Sequence, residues 1–231
     1  MNIVIGCPFS DRLWIFDRWM SHVQQAFSGL GHNVSFVFVG NQKDLAFFEN
    51  AENTVLVEFS EPERLDVRRW NHQRYEHMVL LRNELLGAVR KLGPDLFLSL
   101  DSDILLAPNA IQSAIEALSL HSNVWAVGLK CFMTPTSVSH PSMGMWVDNS
   151  HVRFRRKDVS DIATVDIIMA AKLMKPEAYN VDYSFHRNGE DLGWSLNVKL
   201  AGGSFIWDGR VTNKHVMSPK FLDVVDRRAG F

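Results

Sequence analysis

A mixed α/β fold, with a mostly parallel sheet covered by helices on both faces, is predicted by three features of the sequence. Short apolar or β-branched runs alternate with amphipathic stretches of ten or more residues. Gly and Pro punctuate the changes of period, at Gly29, Gly31 and Gly93-Pro94. The run DLFLSL, residues 95–100, is apolar apart from its opening Asp and Ser99, the pattern of a buried strand.

The elements follow in order. NIVIGC, residues 2–7, is a first strand ending at Pro8. Ser10 or Asp11 is placed to cap the helix after it, where Leu13, Phe16, Met20, Val23 and Phe27 recur near helical spacing. NVSFVFVG and TVLVEFS are the second and third strands. Residues 71–92 form a long helix with Met78, Leu81, Leu85 and Val89 on one side, ended by Gly93-Pro94. After the 95–106 strand segment, APNAIQSAIEALSL is a helix with Pro108 near its start. NVWAVGLK is a strand, residues 132–160 a loop-rich excursion, and TVDIIMAAKLM either strand or helix. EDLGWSLNVKLA is a helix and GSFIWDG a late strand. Without repeats or an obvious linker, residues 1–231 read as one domain.

Composition narrows the classes. With 231 residues, 46% hydrophobic and 22% charged, the chain can bury a full core without staples. A net charge of -2 does not indicate a mainly electrostatic nucleic-acid binder. Two isolated cysteines, Cys7 and Cys131, form neither a disulfide framework nor a zinc pattern. The first residues lack a basic region and a long apolar core, and no 18-residue apolar stretch occurs. A cytoplasmic location is the expectation.

Asp101 and Asp103 stand one residue apart just past the end of that buried strand, where ligands bind in open α/β sheets. If the chain stays extended, residues i and i+2 project to one side. Two close carboxylates repel unless a cation joins them, and a hard Mg²⁺ or Mn²⁺ ion resolves this together with substrate phosphate oxygens. No glycine-rich phosphate loop is present, since GLGHNV lacks the third Gly and does not follow a strand.

LSLDSDILLAP resembles the strand–DxD–strand segment of nucleotide-sugar glycosyltransferases of the GT-A fold. RNELL, residues 82–86, resembles the Arg-Asn element that precedes it in several such families. NGEDLGWSLNVKLAGG resembles their xED element, and His215 in TNKHVMS stands where many members carry a metal-binding His. The resemblance implies a GT-A type, Rossmann-like sheet with a nucleotide-sugar-binding half (1–106) and a loop-rich acceptor half (107–231). It implies transfer of a sugar from a nucleoside-diphosphate sugar, a UDP-sugar favoured, to a hydroxyl acceptor, with Mn²⁺ or Mg²⁺ held by Asp103, His215 and Asp101. Asp101 acts there directly or through water or the sugar. Asp191 is the implied base, with Glu190 as substitute, and Ser102 belongs to the donor site. Cys7, Pro8 and Phe9 occupy the place where such proteins cradle the base, while Arg12 and especially Arg82 suit the diphosphate, which a guanidinium matches bidentately.

HVRFRRKD sets Arg153, Arg155, Arg156 and Lys157 around Phe154. A solvated loop is the plain reading. An acidic glycan or DNA contacted through phosphates is the functional one, and a phage or bacterial enzyme glycosylating hydroxymethylated bases fits it. Trp70, Trp125, Trp146 and Trp194 supply aromatic faces. The competing classes are a non-catalytic sugar-nucleotide-binding module, a nucleotidyltransferase, whose glycine-rich signature GCPFSDR does not resemble, and a two-carboxylate glycosidase needing no metal.

Overall fold

The computed structural model of the chain describes residues 1–60, 71–120, 122–132, 142–148, 151–154 and 160–223. Trp70, Arg155, Arg156 and Lys157 lie outside them. In chain order, β1 (Asn2–Pro8) leads into α1 (Leu13–Phe27), and β2 (Asn33–Gly40) into the single turn α2 (Gln42–Leu45) and then β3 (Thr54–Glu58). The long α3 (His72–Leu92) precedes β4 (Leu96–Leu100), β5 (Ile104–Leu105) and α4 (Ala110–Ser119). Then come β6 (Val124–Leu129), the hairpin β7 (Met143–Asp148) and β8 (His151–Phe154), β9 (Ile162–Val165), β10 (Ile167–Ile168) and β11 (Ala171–Met174). The chain continues through α5 (Pro176–Tyr179), α6 (Glu190–Leu200), β12 (Ser204–Asp208) and β13 (Lys214–His215).

Among the described residues, eight strands make the central sheet, in the order β3-β2-β1-β4-β11-β6-β12-β9. β3, β2, β1 and β4 are parallel, as are β6 and β12. Only β11, wedged between β4 and β6, and β9 at the edge are reversed. The mostly parallel α/β sheet expected from the sequence is therefore present, and its alternating side chains build one core on each face. Ile3, Ile5 and Leu98 pack with Ile15, Trp19 and Ile111 of α1 and α4. Val4 and Phe97 pack with Leu81, Leu85, Trp194 and Val198 of α3 and α6. Among the described residues, no helix is long and apolar enough to cross a membrane.

Several local expectations change. Neither Ser10 nor Asp11 caps α1, which starts after Arg12 without a side-chain cap. Asp11 instead takes a left-handed conformation (φ 50°) and donates its N–H to Asp44 Oδ2 at 3.0 Å. TVDIIMAAKLM is strand at Thr164–Val165, Ile167–Ile168 and Ala171–Met174, because it threads the sheet and the small β10–β7 pairing. The excursion 132–160 contains the β7–β8 hairpin. The end of α3 is as read, with Gly93 left-handed (φ 57°) and its N–H bonded to Val89 O.

The end of β2 fixes the mouth of the sheet. Phe9 N–H donates to Val39 O at 2.8 Å, and a Cβ on Gly40 would lie 2.2 Å from the Phe9 carbonyl oxygen. Gly40→Ala is accordingly expected to lower unfolding stability in denaturant by about 1–3 kcal/mol, since backbone must shift to make room. An unchanged midpoint would mean that the segment after β1 yields freely.

Candidate active site

Residues Asp101 to Ile104 do not continue the strand. Ile104 N–H donates to Asp101 O at 3.1 Å, closing a turn, and Trp19 Nε1 donates to the same oxygen at 3.1 Å. The expected extended Asp-Ser-Asp, with both carboxylates on one side, is thus replaced by a turn that sends them to different partners. Asp101 Oδ1 accepts from Arg82 Nη2 at 2.6 Å. Asp103 Oδ2 lies 3.3 Å from Arg12 Nη2, and its Oδ1 lies 3.3 Å from His215 Nε2.

His215 reaches Asp103 through local pairing. β13 runs antiparallel to β5, with His215 opposite Ile104, and Val216 N–H donates to Asp103 O at 2.7 Å. Asn213 Oδ1 accepts from Ala107 N–H at 2.9 Å and holds this pairing from behind. His215 Nδ1 meets Phe132 O at 3.1 Å. With that nitrogen donating, Nε2 faces Asp103 and would be free to carry a proton or to bind a metal ion. Burial works against both charges, but their mutual hydrogen bond and attraction prevail: Asp103 is held below its ordinary range and His215 above it.

The pair fits a hard divalent ion. Two ligands at about 2.1 Å from an octahedral ion and at right angles are about 3 Å apart, close to the 3.3 Å found here. Among the described residues no group of three His, Cys, Asp or Glu side chains is assembled. A bound ion would take its remaining ligands from water and phosphate oxygens, as Mg²⁺ usually does.

Arg82 stands behind the turn, on the buried face of α3, 2% exposed. Besides Asp101 it meets Ser99 Oγ at 3.4 Å, and its Nε is 3.8 Å from Glu190 Oε1. Asn83, its neighbour, exchanges two hydrogen bonds with the Tyr183 backbone, so α3 also fixes the segment that leads into α6. That helix starts after Gly189 (φ 127°), a conformation L side chains rarely adopt. Glu190 and Asp191 occupy its first turn, where the helix dipole favours negative charge.

The two acids differ. Asp191 accepts from the ammonium of Lys172 and from the Ala170 backbone N–H. Burial alone would raise its pKa, yet Lys172 and Arg82 hold it low. For Glu190 the balance is reversed: burial, then the charge of Asp191, push it up to about 7 against the pull of Arg82. Ala170 ties the two loops together. Its carbonyl accepts from Asp101 N–H at 3.3 Å, and it holds a left-handed φ of 63° that costs an alanine roughly 1–2 kcal/mol.

Two cavities meet here. One, about 310 Å³, is lined by Pro8, Phe9, Arg12, Arg82, Asp101, Ser102 and Asp103, together with Arg74, His77 and Glu190. The other, about 230 Å³, is lined by Asp101, Glu190, Asp191 and His215, with Tyr75, Asn188 and Ala170. Asp101 and Glu190 belong to both. The structure thus gathers the residues expected to hold donor, metal and acceptor proton around these cavities, Cys7 apart. Cys7 is fully buried in the α1-side core, away from the cavity lining, and burial and Asp101 raise its thiol pKa. Arg153 is exposed on β8. Trp194 is core, Trp125 packs against it, and Trp146 meets the His186 ring edge-on at 5.5 Å. Sequence reading missed Lys172, Arg74, His77 and Tyr75. Of these only Lys172 left a signal, as a lone cation in the apolar run AAKLM.

No protein-family model and no curated protein matches the sequence. The fold does match solved structures. A mannosyltransferase from Pyrobaculum calidifontis, solved in complex with GDP-mannose and Mn²⁺, superposes with a TM-score of 0.60 at 12% identity, over 94% of this chain and 57% of that one. This chain therefore spans little more than half the length of that enzyme. A second match is the protein A197 from STIV, with a TM-score of 0.52 at 11% identity, over 94% of this chain and 87% of the other. What the chain shares with both is its fold, a mixed α/β architecture with a mostly parallel central sheet flanked by helices.

Proposed function

We propose that the protein is a divalent-metal-dependent glycosyltransferase that moves a sugar from a nucleoside-diphosphate sugar to a hydroxyl acceptor. The observation that carries this reading is the pair of cavities meeting at Asp101 and Glu190, with the convergent Asp103–His215 pair beside them. The larger cavity is the donor site. Pro8 and Phe9 flank the base, and Arg12 and Arg82 face the diphosphate. The smaller is the acceptor side, so residues 1–106 supply most of the donor half and 107–231 most of the acceptor half. Because the fold is shared with an enzyme solved with GDP-mannose, a GDP-sugar is a second candidate donor beside the UDP-sugar expected from sequence.

Asp103 and His215 would hold the metal, with Asp101 contributing from its Arg82-bound position. A metal held there would supply positive charge to the departing diphosphate. The chain's own groups do the rest. Arg82 and Arg12 orient the phosphates, and a carboxylate opening α6, Asp191 or Glu190, takes the proton of the acceptor hydroxyl.

Thermal unfolding tests the reading against GDP-, UDP-, CMP- and dTDP-sugars, each with and without Mn²⁺. One nucleotide class is expected to raise the midpoint only with metal, by the equivalent of about 2.7 kcal/mol at a hundredfold excess over its Kd. Asp103→Ala is expected to stay folded and lose that metal-dependent shift. A full shift in Asp103→Ala, or none from any donor in the wild type, would overturn the metal-assisted transferase.

A further inference from the structure

β11 is an apolar strand but for one residue, Lys172, whose side chain is fully buried in the middle of the sheet. A buried ammonium is tolerated only when paired and hydrogen-bonded. Here Nζ donates to Asp191 Oδ1, and the rings of Tyr183 and Trp194 each lie 5.3 Å from it. The pairing works both ways. Protonating Asp191 would strand the ammonium among aromatic rings, so Asp191 stays charged. Burial would otherwise lower Lys172, but Asp191 raises it.

Glu190, one residue earlier, faces both cavities; Arg82 Nε lies 3.8 Å from it, while Nη2 of the same guanidinium is bonded to Asp101. The fixed charge on Asp191 discourages a second one beside it. The charged and titratable groups around the two acids are Arg74, Tyr75, His77 and Arg82 from α3, Lys172 from β11 and Tyr183 before α6, with Asp101 and His215 across the cavities.

We propose that Lys172 is a positioning residue that locks the Asp191 carboxylate as a permanent anion, so that Glu190 is the group that takes the acceptor's proton. This deepens the transferase reading and rests on it. In the step, the acceptor O–H bond breaks and its proton passes to Glu190. The oxygen's electron pair forms the bond to the anomeric carbon, and the bond from that carbon to phosphate oxygen breaks, its pair leaving on the nucleoside diphosphate.

The test is a carbon-13 carboxyl titration of the full chain by NMR, with Glu190→Gln and Asp191→Asn assigning the two signals. In the wild type, Glu190 is expected to titrate near neutral pH and Asp191 only in acid. In Lys172→Met, the Asp191 signal should move up towards neutral pH, while Lys172→Arg should leave it in acid. Should Lys172→Met fail to fold, Lys172→Met with Asp191→Asn removes both charges, and Glu190 should then titrate below its wild-type position, because the Asp191 charge raises it more than Lys172 lowers it. An Asp191 titration unmoved by Lys172→Met, or a Glu190 unmoved in the double variant, would overturn the lock. Independently, release of GDP from GDP-mannose with Mn²⁺, or of UDP from a UDP-sugar, should rise through pH 7 and lose that limb in Glu190→Gln. A limb retained in Glu190→Gln would overturn the proton assignment alone. No release at any pH would overturn the transferase reading and leave the lock to the titration.

Discussion

At pH 8, on the proposed transferase mechanism, replacing Glu190 with glutamine is expected to slow transfer by about 10²–10⁴-fold, the usual contribution of a general base, while making the fold more stable. Both effects come from one feature. Glu190 is buried beside Asp191, and its folded-state pKa of about 7 lies above the ordinary 4.5. The folded protein therefore binds a proton that the unfolded chain releases. The resulting stability is present in full below pH 4.5 and is lost as the pH rises through 7. The gap between the two values corresponds to about 3 kcal/mol at most. Glutamine stays neutral, so the variant keeps the low-pH state at every pH. Urea unfolding should show it more stable than wild type at pH 8 and nearly equal at pH 4.5. A variant weaker than wild type at pH 8 would mean that Glu190 is held as an anion by Arg82, and the role of base would return to Asp191. Stability given up at a reacting group is a common feature of active sites.

The parts of the fold legible in the sequence are those set by local rules. β1, β2, α3 and α6 follow from runs, periodicity and glycine stops, because each buries a face that its own spacing declares. β11 is different. Its reversed direction between β4 and β6 depends on partners far along the chain, and TVDIIMAAKLM carries no period that separates strand from helix. The site shows the same division. Asp101, Asp103, Glu190, Asp191 and His215 were visible as residue types in a telling order. Their pairing was not. Spacing could not show that Asp103 turns to Arg12 and His215 while Asp101 turns to Arg82, since a turn at Ser102 and the β5–β13 pairing decide it. Nor could it rank the two adjacent acids of α6, because Lys172, on a strand eighteen residues earlier, makes them unequal.

Arg82→Met is expected to be the most destabilising single change in the site, by about 3–5 kcal/mol, the range found when one partner of a buried ion pair is removed. For a domain of this size that lowers the melting midpoint by roughly 10 °C. Methionine fills much of the space, so packing is not the main loss. The loss is electrostatic: Asp101 loses its 2.6 Å hydrogen bond, and the Arg82 charge that holds down both Glu190 and Asp191 disappears. Arg82→Lys should recover little. A single ammonium cannot span Ser99, Asp101 and the Glu190 side at once, whereas the guanidinium fork presents donors to all three. Adding Asp101→Asn to Arg82→Met should return part of the loss, because it removes the stranded charge instead of leaving it at the strand end. The pH response supplies the second check. Without Arg82 the pKa of Glu190 rises further, so the limb of donor turnover assigned to it should move to higher pH. A melting midpoint unchanged in Arg82→Met would mean that Asp101 turns its charge to water, not to α3. The turn after β4 would then owe its shape to Trp19 and the backbone alone.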